Sequence, residues 1–408
     1  MDLRASISGF ILLISAIHLS TDLRAEDKNS HLSPLAQAIV PADVLSAVSR
    51  LPANKRAGFC PSNSYELDDI EKIEPILKIK GFTSRMSDVA DTLPGVRPSE
   101  KFATVFGANS VAAFATSDDA TKRRLISLLA KWASAGAFLE SESCVRSGQL
   151  ITSGNCGEWR KPDGTDLSAM KDATFSTFLS VGLIRAYYVA LADSAPGMMS
   201  EHAAIKEWIG KVALRLKKPS EVYFGLNMGW YWPSIIMDLA AGRKAKAIKK
   251  LKNIEIAMLQ QVNDDGSIKD RTTRGDRAMW YQHTSIDEIV ISMELMRAAG
   301  MPISDKLEKK LHSAVTLFVA AVDDPKTIDK WAKQAYHAVY TGKQDWHSGW
   351  ENGDFAGSWF HIYPYRYPEQ TAAKRLRELV PIDAQSATRD TDFGFGIGCL
   401  YNAAAAGR

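Results

Sequence analysis

From about residue 120 onward, apolar residues recur with the period of an α-helix. Leu125, Leu128, Leu129 and Trp132 fall at positions i, i+3, i+4 and i+7, which places them on one helix face. The same spacing predicts further helices over residues 168–193, 201–217, 230–241, 245–262, 284–299 and 304–322. Long alternating runs rich in Val and Ile, which are typical of strands, do not occur. Helices joined by short polar loops predict an all-α domain built of antiparallel helix hairpins.

Two segments interrupt this helical pattern. Residues 141–167 are rich in Gly, Ser and Asn, and residues 341–368 are dense in aromatic residues and Gly. A loop as long as the first, inside a compact domain, is either functional or disordered. The aromatic residues of the second either line sugar-binding subsites or pack across the last hairpins.

The first 25 residues have the features of a secretory signal peptide. Arg4 gives a short basic region, residues 7–19 form an apolar run, and Leu23-Arg24-Ala25 offers a cleavage site. The run is too short to predict a membrane span, and an uncleaved anchor is the alternative. We expect a signal peptide over residues 1–25, an N-terminal extension over 26–60 and the main domain over 61–408, in a periplasmic or secreted protein.

Composition and charge exclude several classes of protein. The 408 residues are 46% hydrophobic and 24% charged, with a formal net charge of +3. These values exclude a disordered chain, a collagen-like chain and a polytopic membrane protein. The net charge is too small to indicate nucleic acid binding by itself.

The chain has four cysteines, all beyond the expected cleavage site: Cys60, Cys144, Cys156 and Cys399. An even number in an exported protein allows two disulfides. Pairing Cys144 with Cys156 and Cys60 with Cys399 is one of three possibilities, and the sequence does not select among them. The histidines are scattered and no HExxH motif occurs, so neither a metal nor a cofactor is expected.

Two further segments are rich in residues that could take part in catalysis or bind a ligand. Residues 263–285 begin with the turn signal Asp265-Gly266 and collect three arginines before Tyr281, Gln282 and His283. Residues 227–232, with the sequence Asn-Met-Gly-Trp-Tyr-Trp, place an amide and three aromatic rings at a predicted helix start. Because sugar rings stack on aromatic faces and uronic carboxylates pair with Arg, this combination favours an acidic sugar as ligand.

The order of these motifs resembles that of the alginate lyase family, whose members are secreted or periplasmic poly-mannuronate-cleaving enzymes. The likeness rests on five segments between about 110 and 405: residues 129–137, 227–232, 265–281, 358–365 and 389–401. The resemblance implies an (α/α) toroid over residues 61–408 with a lid loop at about 141–167. It also implies cleavage of a uronic-acid polysaccharide by β-elimination.

The sequence departs from the family pattern at the catalytic positions. The family uses an Asn-His pair, an Arg and a Tyr. On this chain the pair falls on Met228 and Gly229, the Arg on Arg277, and the Tyr, seven residues later, on Thr284. Only Arg277 keeps its residue type, so the polymer need not be poly-mannuronate.

Neighbouring residues could rebuild the catalytic set. A lyase must neutralise the uronate carboxylate, remove the C5 proton and protonate the leaving oxygen. We expect Arg277 to neutralise or orient the carboxylate and Gln282 or Asn227 to donate to it. His283 and Tyr281 are the candidate base and acid, with Tyr231 in reserve. The residues expected to bind sugar are Trp230, Tyr231, Arg274, Trp359, Tyr363 and Tyr365.

Each assignment has a structural alternative. Arg277 could form an ion pair, Tyr281 could pack against helices, His283 could be a cap or core residue, and Asn227 could be a helix N-cap.

Three functions follow from these residues. The first is an exported polysaccharide lyase acting on alginate or another bacterial acidic exopolysaccharide. The second is an inactive polysaccharide-binding protein that assists exopolysaccharide export or assembly. The third is a glycoside hydrolase on the same toroid, which needs two carboxylates about 5–10 Å apart. Carboxylates available for that role are Asp264, Asp265, Asp270, Glu351 and Asp354. We expect a monomer that binds acidic polysaccharide, binds no nucleic acid and has no membrane span after signal cleavage.

Overall fold

The all-α prediction is confirmed in the computed structural model. The structure describes residues 35–62, 64–77, 96–139, 145–146, 149–150, 179–215, 232–334, 340–344, 357–380, 387–388 and 395–408. Within these ranges the regular structure is helical, apart from one short antiparallel strand pair, β1 (Val145–Arg146) and β2 (Gln149–Leu150).

The helices are numbered in chain order. They are α1 (Ala42–Ser49), α2 (Ala53–Phe59), α3 (Ser64–Glu71), α4 (Val96–Thr116), α5 (Asp119–Ala135), α6 (residues 179–186, continued by the π-helical turn Tyr187–Leu191), α7 (Met199–Arg215), α8 (Trp232–Ala240), α9 (Lys244–Gln261), α10 (Ala278–Ala298), α11 (Asp305–Asp323), α12 (Asp329–Ala332), α13 (Trp359–Arg366), α14 (Thr371–Leu379) and α15 (Gly398–Ala406). Short 3-10 helices lie at Ala36–Ala38, Gly275–Arg277 and Pro325–Ile328.

The helices form two layers around a ring, as expected for an (α/α) toroid. Helices α4, α6, α8, α10, α13 and α15 form the inner layer and are buried around most of their circumference; α10 is buried without interruption from Gln282 to Met296. Helices α5, α7, α9, α11 and α14 pack outside them. Each outer helix has an apolar stripe towards the core, such as Leu307, Leu311 and Val315 in α11, and an exposed polar face.

The ring is closed by the N-terminal helices. Helix α1 packs against α15, and α2 packs against both α4 and α15. A disulfide joins Cys60, at the end of α2, to Cys399 in α15. Residues 35–62, which the sequence assigns to an extension, therefore connect the first and last inner helices.

A buried carboxylate ties α10 to three other helices. Glu294 is 1% exposed and accepts hydrogen bonds from Arg297 (2.7 Å), from Arg366 of α13 (2.6 Å) and from the hydroxyl of Tyr401 in α15. Arg366 also donates to Asp43 of α1 at 2.6 Å. A buried charge is tolerated only when it is paired in this way.

Helix α10 begins six residues earlier than the period in the sequence predicts, at Ala278 instead of residue 284. The 3-10 turn Gly275–Arg277 leads directly into it. The side chain of Gln344 accepts a hydrogen bond from the backbone N–H of Met279 (3.1 Å), one of the N–H groups that the first turn of a helix leaves unpaired. Tyr281, Gln282 and His283 consequently lie on a helix and not in a loop.

The signal peptide, most of the expected lid loop, Cys144 and Cys156 lie outside the described residues. Of the lid loop, the structure describes the strand pair, whose second strand contacts α7. Among the described helices, none combines the length and apolar character needed to cross a membrane.

The Glu294 cluster makes a prediction about stability. Glu294→Gln removes the buried charge that pairs with two half-buried guanidinium groups, so we expect the free energy of unfolding to fall by about 3–5 kcal/mol. Urea titration followed by circular dichroism measures it. The matched control is Glu378→Gln, which breaks an exposed pair with Arg375 and should cost less than about 1 kcal/mol. Equal losses in the two variants would contradict the role given to Glu294.

Candidate functional site

The candidate site is the turn that leads into inner helix α10. Gly275 has a φ of 60°, in the left-handed region that favours glycine, and this turns the chain into the helix. The Gln344 side chain holds the turn by donating to the carbonyl of Gly275 (3.0 Å) while it accepts from Met279. Asp276 accepts from the backbone N–H and the hydroxyl of Thr341, at 2.7 and 2.9 Å. Hydrogen bonds from residues 340–344 therefore hold the turn in place.

Arg277 occupies the N-cap position of α10 and is half-exposed. Among the residues that the structure describes, its guanidinium group has no hydrogen-bond or ion-pair partner. The N-terminus of a helix carries a partial positive charge from its unpaired N–H groups. An anionic group that approaches this end of α10 would meet both the helix dipole and a free guanidinium.

Tyr281 lies one helical turn beyond Arg277, on the same helix face. Its half-exposed ring meets Trp280 edge-on, with centroids 4.8 Å apart. The guanidinium carbons of Arg271 and Arg274 lie 5.3 and 5.4 Å from the centroid of the same ring. Its hydroxyl group makes no hydrogen bond to another residue of the described part of the chain. The geometry thus gathers a phenol and three arginines at one end of α10.

Arg274 lies beside Tyr281. Its Nε donates to the backbone carbonyl of Asp270 at 2.6 Å, which orients the guanidinium group over Tyr281. Arg271 was not among the candidates from the sequence. The signal that could have found it is the spacing of Arg271, Arg274 and Arg277, three residues apart in one segment.

Gln282 does not reach this site, which corrects the expectation that it donates to the substrate carboxylate. Consecutive residues of an α-helix point about 100° apart, so the neighbour of Tyr281 faces inward. The fully buried Gln282 amide accepts from the hydroxyl of Thr272 (2.7 Å) and donates to the carbonyls of Gly266 (2.8 Å) and Ala314 (3.3 Å). It anchors the loop 263–274 to α10 and α11.

His283 is also corrected, because it lies in the core. It is 3% exposed, and its Nδ1 accepts a hydrogen bond from Trp359 Nε1 at 2.7 Å. Phe318 and Phe360 pack against the imidazole ring. Burial lowers the pKa of His283 to about 3. The ring stays neutral at physiological pH and is out of reach of a substrate at the surface.

The late aromatic residues pack across the hairpins, which was the structural alternative. Trp359, Tyr363 and Tyr365 are 0%, 1% and 5% exposed. Tyr363 shares a hydrogen bond with His312 Nδ1 at 2.9 Å, and Tyr365 meets Tyr401 edge-on. Their assignment to sugar subsites is therefore corrected to core packing around α13.

Asn227, Trp230 and Tyr231 lie outside the described residues, as do Met228 and Gly229. Thr284, at the position of the family's catalytic Tyr, is 6% exposed, and its hydroxyl donates to the backbone carbonyl of Tyr281 at 3.2 Å. Residues 277, 281 and 284 share one face of α10 at spacings of four and three. The phenol of Tyr281 therefore lies about one helical turn closer to Arg277 than a Tyr at position 284 would.

Two of the carboxylates considered for glycoside hydrolysis, Asp264 and Asp265, have structural roles, and Asp270 is exposed. Asp264 pairs with Lys310 at 2.9 Å, and Asp265 accepts two hydrogen bonds from Ser267. Glu351 and Asp354 lie outside the described residues. Within the described part of the chain, no group of three His, Cys, Asp or Glu side chains is arranged to hold a metal ion.

The fold is similar to solved alginate lyases. Alginate lyase A1-III from Sphingomonas species A1 is 15% identical, with a TM-score of 0.55 over 84% of this chain and 93% of that one. A histidine-to-alanine variant of alginate lyase A1-III, complexed with a tetrasaccharide, gives a TM-score of 0.56 at 15% identity over 84% and 92% of the two chains. An alginate lyase from Bacteroides ovatus is 11% identical, with a TM-score of 0.57 over 85% and 97%. These comparisons define the class as an all-α toroid of the alginate lyase type.

The sequence supports the same classification. Residues 169–328 match the family described as Alginate lyase, a range that contains α10 and the turn before it. A comparison with curated proteins gave no match. The fold and the match over residues 169–328 both support the resemblance to the alginate lyase superfamily that the sequence indicates.

The buried histidines predict how stability depends on pH. Burial lowers the pKa of His283 to about 3 and that of His361 to about 4, below the value of about 6.5 for an unfolded chain. Below pH 6.5 the unfolded chain therefore binds protons that the folded chain does not. We expect the free energy of unfolding to fall as the pH decreases from about 6.5 to 5, by up to about 1.4 kcal/mol per pH unit and histidine.

Urea unfolding at several pH values between 7 and 5 measures this dependence. A His361→Asn variant should show a slope reduced by about one proton. The same slope in wild type and variant would contradict a neutral, buried His361.

Proposed function

We propose that the protein is a polysaccharide lyase that cleaves a uronic-acid polymer by β-elimination, with Arg277 and Tyr281 in contact with the reacting sugar. One observation carries the proposal. The guanidinium group of Arg277, unpartnered among the described residues, lies one turn from a phenol at the N-terminus of inner helix α10. The match of residues 169–328 to the alginate lyase family supports a lyase reaction at this position.

Arg277 binds the carboxylate of the uronate in this proposal. Negative charge moves onto that carboxylate when the adjacent C5 loses its proton, and a fixed cation stabilises the charge as it develops. The N-terminus of α10 and the guanidinium groups of Arg271 and Arg274 add to the positive potential. The site therefore favours the enolate-like transition state over the ground state.

Tyr281 transfers the proton. As a phenolate, it takes the proton from C5; as the phenol that results, it delivers the same proton to the leaving oxygen at C4 and returns to the phenolate. The C5–H and C4–O bonds break, a C4–C5 double bond forms, and no water is consumed. One group can serve both steps in a sugar whose C5 proton and C4 oxygen lie on the same side of the ring.

The substrate that we propose is alginate or another bacterial acidic exopolysaccharide. In the sequence, Met228 and Gly229 take the places of the family's Asn-His pair, so the polymer need not be poly-mannuronate. We further propose that the protein is exported to the periplasm or secreted and acts as a monomer, as the N-terminal sequence and the family suggest.

A second candidate is a catalytically inactive protein that binds the polymer during export or assembly. The observation that favours it is Thr284, whose hydroxyl donates to the backbone of its own helix at the family's catalytic Tyr position. Arg271, Arg274 and Arg277 would then hold an acidic polymer without cleaving it.

Ultraviolet absorbance of the unsaturated product separates these candidates. Mature protein is incubated with polymannuronate, polyguluronate, glucuronan and other acidic exopolysaccharides. We expect absorbance to rise with one polymer and kcat/KM to fall about 10²–10³-fold in Arg277→Ala and Tyr281→Phe. Arg375→Ala, which removes an exposed arginine of α14, is the control and should keep full activity.

Full activity in Tyr281→Phe would contradict the assignment of the proton-transfer group. No absorbance with any polymer, together with binding of one of them, would support the inactive binding protein instead.

A further inference from the structure

A surface beside the Arg277 turn combines aromatic rings with lysines. Trp331 of α12 and Tyr340 both pack against the core at one edge and remain half-exposed. Lys330 Nζ lies 3.8 Å from the centroid of the Trp331 ring, and Lys333 Nζ lies 5.6 Å from that of Tyr340. We refer to these four residues as the aromatic platform.

Asp329 lies next to the platform. Lys333 Nζ lies 3.6 Å from its carboxylate, and the same carboxylate raises the pKa of the Tyr340 hydroxyl to about 12. A ring that packs against the core has a restricted orientation. Such a ring loses little conformational freedom when a ligand covers it.

The platform adjoins the candidate site. Thr341, the residue after Tyr340, is bonded through its backbone and its hydroxyl to Asp276, which directly precedes Arg277. Helix α12 packs against the same Gly275–Arg277 turn. A polymer bound at Arg277 needs to extend only a short way along the surface to cover the platform.

The residue types suit an acidic sugar. The apolar face of a sugar ring stacks on a flat aromatic ring, and an ammonium group beside that ring pairs with the sugar's carboxylate. Exposed cation–π contacts contribute only about 0.5–1 kcal/mol. The lysines can therefore turn from the rings towards a carboxylate at small cost.

We propose that the aromatic platform is a second subsite, which binds an acidic sugar of the same polymer next to the one held at Arg277. The proposal rests on the uronate polymer named above but not on its cleavage. Binding at two linked places strengthens the attachment of a long chain beyond that at either place alone.

Isothermal titration calorimetry with a long oligouronate, in a Tyr281→Phe background that prevents cleavage, tests the subsite. The oligouronate is prepared from the polymer of the panel that wild-type protein binds most tightly. We expect Trp331→Ala to weaken binding about tenfold and Trp331→Phe to retain most of the affinity. Lys330→Gln should weaken binding and reduce its dependence on salt. Lys374→Gln, on the exposed face of α14, is the control and should behave as the background.

Unchanged affinity in a folded Trp331→Ala variant would overturn the subsite. If that variant fails to fold, Lys330→Gln decides, because it alters an exposed side chain: unchanged affinity and salt dependence would overturn the proposal. The result also separates the subsite from the reaction. If wild-type protein binds the polymer through Trp331 but does not cleave it, the subsite is supported and the lyase reaction is excluded. If wild-type protein cleaves the polymer and Trp331→Ala binds it equally well, the lyase reaction is supported and the subsite is excluded. A protein that binds no uronate polymer overturns both.

Discussion

The buried carboxylate of Glu294 is the constraint on which the rest of the structure depends. It requires partners because an unpaired charge in the core is costly, and those partners come from α10, α13 and α15. Arg366 extends the same network to Asp43 in α1, where the ring closes. Since α10 is about 30 Å long, fixing its far end sets the direction in which Arg277 meets the surface. The site is therefore held by a rigid inner helix, not by a loop.

The burial of α10 also explains where chemistry is possible. Every residue from Gln282 to Met296 is buried, so α10 reaches solvent only at its two ends. This is why Tyr281 and His283, two residues further on, have such different surroundings. The first meets arginines at the surface, and the second is enclosed by aromatic rings. A helix that is buried around its circumference can present side chains to a ligand in solution only at its ends.

Much of the fold could be predicted from the sequence, because outer helices such as α11 carry a clear apolar period. Arg277 was selected as a candidate through the family resemblance, and its role stays a prediction. The start of α10 was missed because Arg, Gly and Asp before it are typical of a loop. Burial of residues such as Trp359 could not be predicted, since aromatic residues serve cores and sugar sites equally. The aromatic platform gave no signal, because Trp331 and Tyr340 lie apart in sequence among lysines typical of a solvated surface. Which cysteines pair depends on ring closure, which appears only in three dimensions.

A crystal structure of the Tyr281→Phe variant with a bound oligouronate tests the central claim most directly. The account predicts a sugar carboxylate within hydrogen-bond distance of the Arg277 guanidinium group. It also predicts that C5 of that sugar faces the ring edge where the Tyr281 hydroxyl stands in the native chain. An oligouronate bound elsewhere on the toroid, with Arg277 free of it, would contradict the account.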